Sequence, residues 1–139
     1  MRLIPYLNFD GECREAFEFY AAALGGRLIG PPMTYGESPM CDKMPPGSEN
    51  RVMHAQLDAD GATLMGADGP PGLARSTSAT CVNVDVKTVE EAERIFAALA
   101  EGGVVQMPLQ ETFWAKRWGG LTDRYGKPWM VNCMLPPPA

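Results

Sequence analysis

Hydrophobic and polar positions follow two different periods in the first quarter of the chain. Residues 3–9 form a short apolar run before Asp10-Gly11, which predicts a strand that ends in a turn. From Glu12 onward the apolar residues recur at helical spacing, and Gly25-Gly26 follows them as a stop signal. The helical face is formed by Cys13, Ala16, Phe17, Tyr20 and Leu24. The pattern therefore predicts a strand followed by an amphipathic helix.

The next stretch predicts further strands around a long loop. A strand is expected at residues 27–29, and residues 30–50 carry five prolines, which predicts a loop that is either functional or a surface excursion. Residues 52–58 alternate, so that His54, Gln56 and Asp58 share the polar face of a strand. The hairpin signal Asp60-Gly61 leads into a return strand over residues 62–66.

The order of elements then begins again. Residues 67–76 are rich in glycine and proline and predict a linker. Residues 80–86 alternate as a strand that carries Asn83 and Asp85 on one side. Thr88 followed by Glu91 predicts the capped start of a second helix, which ends at Gly102-Gly103. Three closing strands are predicted at residues 104–109, 115–121 and 129–134, and the prolines at 136–138 end regular structure.

Two offsets relate the halves of the chain. Gly25-Gly26 and Gly102-Gly103 lie 77 residues apart, and residues 58–65 match residues 123–130 at an offset of 65. Duplication of one strand, one helix and three strands explains both halves with a single unit. The sequence therefore predicts one α+β domain of two tandem βαβββ units, at about 1–66 and 77–135, joined by the linker at 67–76. Their sheets would form a pseudosymmetric cleft.

Composition and charge narrow the class of partner. The net charge is -5 and no run of lysines or arginines occurs, which argues against nucleic acid or an anionic membrane. Neither a secretory signal nor a run of about 18 apolar residues is present, so we expect a cytoplasmic protein. The four cysteines are far apart and His54 is the only histidine, which favours reduced thiols over a zinc or redox site. A small molecule or another protein remains as the expected binding partner.

Several short motifs span nearly the whole chain. They are Pro5-Tyr6-Leu7, Gly11-Glu12-Cys13 with residues 16–20, Met53-His54-Ala55, Met107-Pro108-Leu109-Gln110, Thr112-Phe113-Trp114 and Trp129. Together they resemble the vicinal-oxygen-chelate superfamily of glyoxalase I, bleomycin-resistance proteins and extradiol dioxygenases. The PhnB-like branch, also labelled 3-demethylubiquinone-9 3-methyltransferase-like, is the most similar. The resemblance implies a homodimer, because small members of this superfamily commonly complete their clefts across a subunit interface.

The resemblance also implies where a metal would be bound. Metal-binding members supply a histidine or glutamine from the first strand of each unit and a glutamate from the last. Aligned on Gly61 and Gly126, the glutamate positions are Met65 and Met130 in this chain, and the second-unit histidine position falls near Ala79. Thioethers bind oxygen-preferring divalent ions weakly. We therefore expect no cofactor and no metal centre, with His54 as the only plausible ligand if a divalent metal is found.

The candidates for ligand binding are polar or aromatic residues at strand positions. They are Tyr6, His54, Gln56, Asn83, Gln110, Trp114, Arg117 and Trp118. His54 is an acid-base group, a lone metal ligand or a hydrogen-bonded residue of the sheet. The tyrosine and the amides face a ligand or satisfy buried backbone groups. Arg117 clamps an anionic group beside the tryptophans or covers an indole at the surface.

Two functions of different classes stay open. The first is a protein that binds or sequesters a small molecule in an aromatic cleft without the usual metal centre. The second is a metal-dependent lyase, isomerase or dioxygenase of the glyoxalase type with an atypical site. Methyl transfer with a nucleotide cofactor needs a glycine-rich strand-to-helix turn, whereas both double glycines of this chain follow helices. Whether the chain is an enzyme stays open, and so does its ligand.

Overall fold

A computed structural model describes residues 1–39, 41–71 and 80–137. The elements of this part of the chain are β1 (Tyr6–Phe9), α1 (Cys13–Leu24), β2 (Arg27–Leu28), β3 (Met33–Thr34), β4 (Val52–Ala59), β5 (Ala62–Asp68), β6 (Val82–Asp85), α2 (Val89–Ala100), β7 (Val104–Gln110), β8 (Ala115–Thr122) and β9 (Pro128–Met134). The chain divides into two compact units, unit 1 (Met1–Arg75) and unit 2 (Ser76–Ala139). Each contains one helix and one sheet, which confirms the predicted α+β fold of two βαβββ modules.

The sheet of unit 1 has the strand order β1-β5-β4-β2, and β3 also pairs with β4. β1 runs parallel to β5, and the other pairs are antiparallel. α1 covers one face of this sheet and buries Cys13, Ala16, Phe17 and Tyr20 completely. Gly66 lies directly beneath the helix, since a Cβ at this position would sit 2.7 Å from Cε1 of Phe17. The close approach of α1 to β5 therefore requires a glycine.

A buried carboxylate joins three segments of unit 1. Oδ1 of Asp68 accepts hydrogen bonds from the backbone N–H groups of Gly11 at 2.8 Å and Cys13 at 3.0 Å, and Oδ2 accepts one from Val52 at 2.9 Å. Glu12 precedes α1 but makes no side-chain cap. Asp68, at the end of β5, thus satisfies N–H groups at the start of the helix that have no partner within it.

The sheet of unit 2 repeats this topology in the order β6-β9-β8-β7, with β6 parallel to β9. α2 packs on one face through Ala92, Ile95, Phe96 and Leu99. Oγ1 of Thr88 accepts the N–H of Glu91 at 3.1 Å, which confirms the predicted cap. Asp123 is buried and accepts the N–H groups of Tyr125 and Lys127 and the indole Nε1–H of Trp129.

The structure corrects two predictions about irregular segments. Residues 30–50 were predicted to be loop, but they contain β3 and two short 3₁₀ helices, Tyr35–Glu37 and Cys41–Lys43. Backbone bonds from Tyr35 to Arg51 and from Gly36 to Glu49 hold this segment beside the start of β4. β5 also continues through Asp68, two residues beyond its predicted end, because it remains paired with β1 there.

Part of the predicted linker falls outside the described residues. Residues 72–76 of the linker lie there, and so does Ala79, the position of the second-unit histidine in metal-binding members. Neither helix in the described residues is long and apolar enough to cross a membrane.

Candidate functional site

The sheet of unit 1 carries three of the predicted candidates on the face opposite α1. Residues paired across neighbouring strands point to the same side of a sheet. Tyr6 pairs with Met65, which pairs with Gln56, and His54 pairs with Met33. We call this surface the helix-free face of unit 1. The register therefore brings Tyr6, His54 and Gln56 onto one face, as the alternation of β4 predicts for the last two.

Tyr6 and His54 are in direct contact on this face. The phenolic oxygen of Tyr6 lies 3.2 Å from Nδ1 of His54, and the two ring centroids are 5.9 Å apart. Desolvation raises the pKa of Tyr6 above its ordinary value of 10.0, and Coulombic interactions with Cys13 and Tyr35 raise it further. The phenol is therefore protonated at neutral pH, and its O–H can donate a hydrogen bond to Nδ1 in the tautomer that carries the imidazole proton on Nε2. Gln56 is engaged separately, since its Nε2 donates to Oδ1 of Asp58 at 3.2 Å.

Unit 2 has a corresponding helix-free face, opposite α2. Its strand register defines two rows of residues across the sheet. The first row is Asn83, Met130, Gly120 and Met107, and the second is Asp85, Asn132, Trp118 and Gln110. The structure thus places three predicted candidates, Asn83, Gln110 and Trp118, on one face.

No side chain rises from Gly120 in the first row, and we call the open space above this residue the depression at Gly120. Among the described residues, an added Cβ would meet within 4 Å only the backbone oxygen of Trp129, at 3.8 Å. Met107 and Met130 flank Gly120 on the two neighbouring strands. The space around Gly119 is filled, because a Cβ there would lie 2.8 Å from Cε2 of Phe96 on α2. The two adjacent glycines therefore serve opposite faces of β8.

An aromatic cluster includes Trp118, which lies two residues from Gly120 on the same face of β8. The indoles of Trp114 and Trp118 make an edge-to-face contact with centroids 5.6 Å apart, and Phe113 stacks edgewise on Trp114 at 4.8 Å. Trp114 is 37% exposed and Phe113 is 90% exposed. A cluster of large rings that stays accessible in this way offers apolar area to a binding partner.

Arg117 lies on the other face of β8, away from Trp118. Its Nε is 3.5 Å from Oε1 of Glu93 on α2, and its Nη1 donates to the backbone oxygen of Lys116 at 2.7 Å. The sequence suggested that Arg117 lies beside Trp118. Alternation along β8 instead puts the two side chains on opposite faces of the sheet. Trp129, the third tryptophan, is buried on the α2 side and donates its Nε1–H to Asp123 at 2.8 Å.

Sequence reasoning missed Asn132 as a candidate site residue. It lies on β9 between Asp85 and Trp118, is about nine-tenths buried, and places Nδ2 2.8 Å from Sδ of Met134. Within the described part of the chain its Oδ1 has no hydrogen-bond partner. An asparagine inside the apolar run of the last strand was the available signal, because buried amides normally have partners.

The side chains on these faces do not fit the divalent metal centre of the superfamily. Among residues 1–39, 41–71 and 80–137, no group of three or more histidine, cysteine, aspartate or glutamate side chains is arranged to hold a metal ion. The register places Met65 between Tyr6 and Gln56, and Met130 between Asn83 and Gly120. The thioether at each of these two positions is a soft donor that suits neither magnesium nor manganese.

Two units with a parallel pair of first and last strands, one helix and one helix-free face define a vicinal-oxygen-chelate fold. This fold is shared with a glyoxalase/bleomycin resistance protein/dioxygenase family enzyme from Burkholderia phytofirmans, at a TM-score of 0.62, 16% identity and coverage of 95% of this chain and 97% of that chain.

Sequence similarity gives the family. The profile of the 3-demethylubiquinone-9 3-methyltransferase family matches residues 1–132. Protein YjdN of Escherichia coli is 35% identical over 146 residues, covering 99% of both chains. The crystal structure of PA1353 from Pseudomonas aeruginosa has a TM-score of 0.86 and 43% identity over 96% of this chain and 98% of that chain. The chain belongs to the 3-demethylubiquinone-9 3-methyltransferase-like (PhnB) family of the vicinal-oxygen-chelate superfamily.

Proposed function

We propose that the chain binds a small organic molecule on the helix-free face of unit 2, without a divalent metal. The observation that carries this proposal is the open depression above Gly120, which lies between two thioethers and two residues along β8 from Trp118. Ligand sites are typically concave and lined by apolar and aromatic side chains with a few polar groups. Methionine adapts its shape to different ligands, and an indole supplies a large rigid contact area.

Polar side chains at the ends of the two rows orient the ligand. Asn83 ends the first row and is exposed, and Gln110 ends the second row and is also exposed. Amides both donate and accept hydrogen bonds, so they fix the orientation of a ligand whose apolar part lies over Gly120. Trp114 adds an aromatic edge beyond Trp118.

The proposal does not include methyl transfer from a nucleotide cofactor, despite the name of the family. Such enzymes hold the cofactor at a glycine-rich turn between a strand and a helix. The turn from β1 to α1 contains Gly11 alone, and the turn from β6 to α2 contains no glycine. Gly25 instead ends α1 in the left-handed conformation with φ of 66°, as a C-cap glycine does.

Substitution of Gly120 by valine tests the proposed site. Its Cβ enters open space and its backbone is not in the positive-φ region, so the variant is expected to fold. The added side chain fills the depression and should weaken binding of 2-naphthylmethanol, a neutral aromatic probe, by about tenfold or more. Ligand-observed NMR measures this affinity.

Arg117→Ala is the matched control for this experiment. It removes a large side chain from the same strand but from the other face, so the affinity for 2-naphthylmethanol should stay unchanged. Wild-type affinity in Gly120→Val would contradict the proposed site. Loss of binding in Arg117→Ala would place the ligand on the α2 side instead.

A thermal-shift series tests the metal-free part of the proposal. Nickel, zinc, manganese and ferrous ions are expected to leave the melting temperature unchanged, because the chain offers methionines where metal-binding members carry glutamates. A stabilising shift that disappears in His54→Ala would contradict this part. It would support the alternative of a metal-dependent enzyme of the glyoxalase type.

A further inference from the structure

We infer that the ligand of this face carries a protonated amine or a similar N–H donor group on an aromatic or otherwise apolar body. This inference rests on the proposed function, since it names the chemical class of the ligand bound at the same site. Two observations in the second row support it: the charge of the residues that form the face, and an acceptor that lacks a donor.

The charge of the helix-free face of unit 2 favours a cation over an anion. Of the eight residues in its two rows, Asp85 is the one that is charged, and it is exposed at the end of the second row. Arg117, the arginine on β8, is turned toward Glu93 on the other side of the sheet. Lys116, the other cation of β8, lies at the register shift that precedes Arg117 and outside both rows. Within the rows, an anionic group placed over Trp118 would therefore face a carboxylate and no cation. A cation is attracted by that carboxylate and by the faces of the indoles.

The unpaired acceptor lies between Asp85 and Trp118. Asn132 is the middle residue of this trio, and the register aligns all three on adjacent strands. A buried acceptor without a donor is destabilising, and a ligand that supplies the donor recovers the missing hydrogen bond. Nδ2 of Asn132 contacts Sδ of Met134, a residue that is 49% exposed. Rotation of this flexible thioether would uncover the amide group on its Nδ2 side.

These two observations define one arrangement of the ligand. An ammonium group contacts Oδ1 of Asn132 and the carboxylate of Asp85, while the apolar body lies over Trp118 and Gly120. Charge-assisted hydrogen bonds from an ammonium are shorter and stronger than those of a neutral hydroxyl. The site should therefore distinguish ligands of equal shape by their charge.

Three naphthalene probes of nearly equal size test this inference: 2-naphthylmethylammonium, 2-naphthylmethanol and 2-naphthoate. The ammonium probe should bind the wild-type protein about fivefold more tightly than the alcohol, and the carboxylate should bind most weakly. Asp85→Asn keeps the size of an exposed side chain and should remove the preference for the ammonium. Asn132→Leu should weaken binding of the ammonium probe more than binding of the alcohol.

Glu93→Gln is the control, because it removes one negative charge from the opposite side of the same sheet and should keep the full preference. Equal affinities for the three probes, a preference for 2-naphthoate, or an unchanged preference in Asp85→Asn would overturn the inference and leave the binding site intact. Failure of all three probes to bind would overturn the proposed function together with the inference. If Asn132→Leu does not fold, the comparison of Asp85→Asn with Glu93→Gln decides the question.

Discussion

The phenolic oxygen of Tyr6 lies 3.2 Å from Nδ1 of His54, although the two residues are 48 positions apart in the chain. They belong to β1 and β4, which are not neighbours, because β5 lies between them. Tyr6 therefore reaches across a strand to contact the single histidine of the protein. The contact engages Nδ1 of His54, and a hydrogen bond at one ring nitrogen influences which tautomer the imidazole adopts.

The tautomer of His54 is the first prediction. The phenolic O–H of Tyr6 lies within hydrogen-bond distance of Nδ1, and we expect it to donate there, which leaves the imidazole proton on Nε2. Nitrogen-15 chemical shifts of the one histidine should show the Nε2–H form in the wild type at about pH 8. Tyr6→Phe should give a mixture of tautomers, whereas Tyr35→Phe, which loses a bond to the backbone of Asp68, should not change the ratio. The same ratio in Tyr6→Phe and wild type would show that the contact does not set the tautomer.

The pH dependence of stability is the second prediction. Because folding raises the pKa of Tyr6, the folded protein holds the phenolic proton to a higher pH than the unfolded chain does. This contribution to the free energy of unfolding is complete below about pH 10 and is lost as the pH rises through the folded pKa. Denaturant titrations should give a steeper alkaline loss of stability for the wild type than for Tyr6→Phe. Parallel curves of stability against pH for the two proteins would contradict the raised pKa of Tyr6.

The buried carboxylate of Asp123 provides the third prediction. It accepts two backbone N–H groups and the indole N–H of Trp129, and an asparagine would turn a donor toward at least one of them. Asp123→Asn should lower the free energy of unfolding by about 2–3 kcal/mol. Asp85→Asn, an exposed carboxylate on the same sheet, should change it by no more than about 0.5 kcal/mol. Chemical denaturation measures both, and equal effects would refute the assignment of Asp123 as a buried anchor.

The neighbouring glycines of β8 give the fourth prediction. Gly119→Ala forces a Cβ against Phe96 and the backbone of Leu109, and it should lower stability by about 1–3 kcal/mol. Gly120→Ala enters open space and should leave stability unchanged or raise it by about 0.4–1 kcal/mol. Thermal unfolding of the two variants checks the order. A reversed order would mean that the faces of β8 are exchanged.

The positions of the helices and most strands could be predicted because each depends on local spacing. The change from alternation to helical periodicity locates α1, and Thr88 with Glu91 locates the start of α2. The repeat predicted the second unit from the first. These features need no knowledge of distant contacts.

The composition of the site could not be predicted in the same way, because it depends on strand register. β7 has irregular pairing between Val105 and Met107 and again between Met107 and Gln110, so counting residues does not reveal which of them faces Gly120. The sequence also placed Arg117 beside Trp118, whereas alternation along β8 puts them on opposite faces. Asp68 falls within the predicted linker because the local sequence is rich in glycine and proline. The three hydrogen bonds that define its role reach residues 16 to 57 positions away, so local spacing does not reveal them.

The three tryptophan indoles test the central claim most directly, because each reports on a different environment. Trp118 and Trp114 lie on or beside the helix-free face of unit 2, whereas Trp129 is buried and bonded to Asp123. In a proton–nitrogen correlation spectrum, addition of 2-naphthylmethylammonium should shift the indole signals of Trp118 and Trp114 and leave that of Trp129 in place. A titration that moves the signal of Trp129 or of His54 while those of Trp118 and Trp114 stay fixed would contradict a binding site on this face.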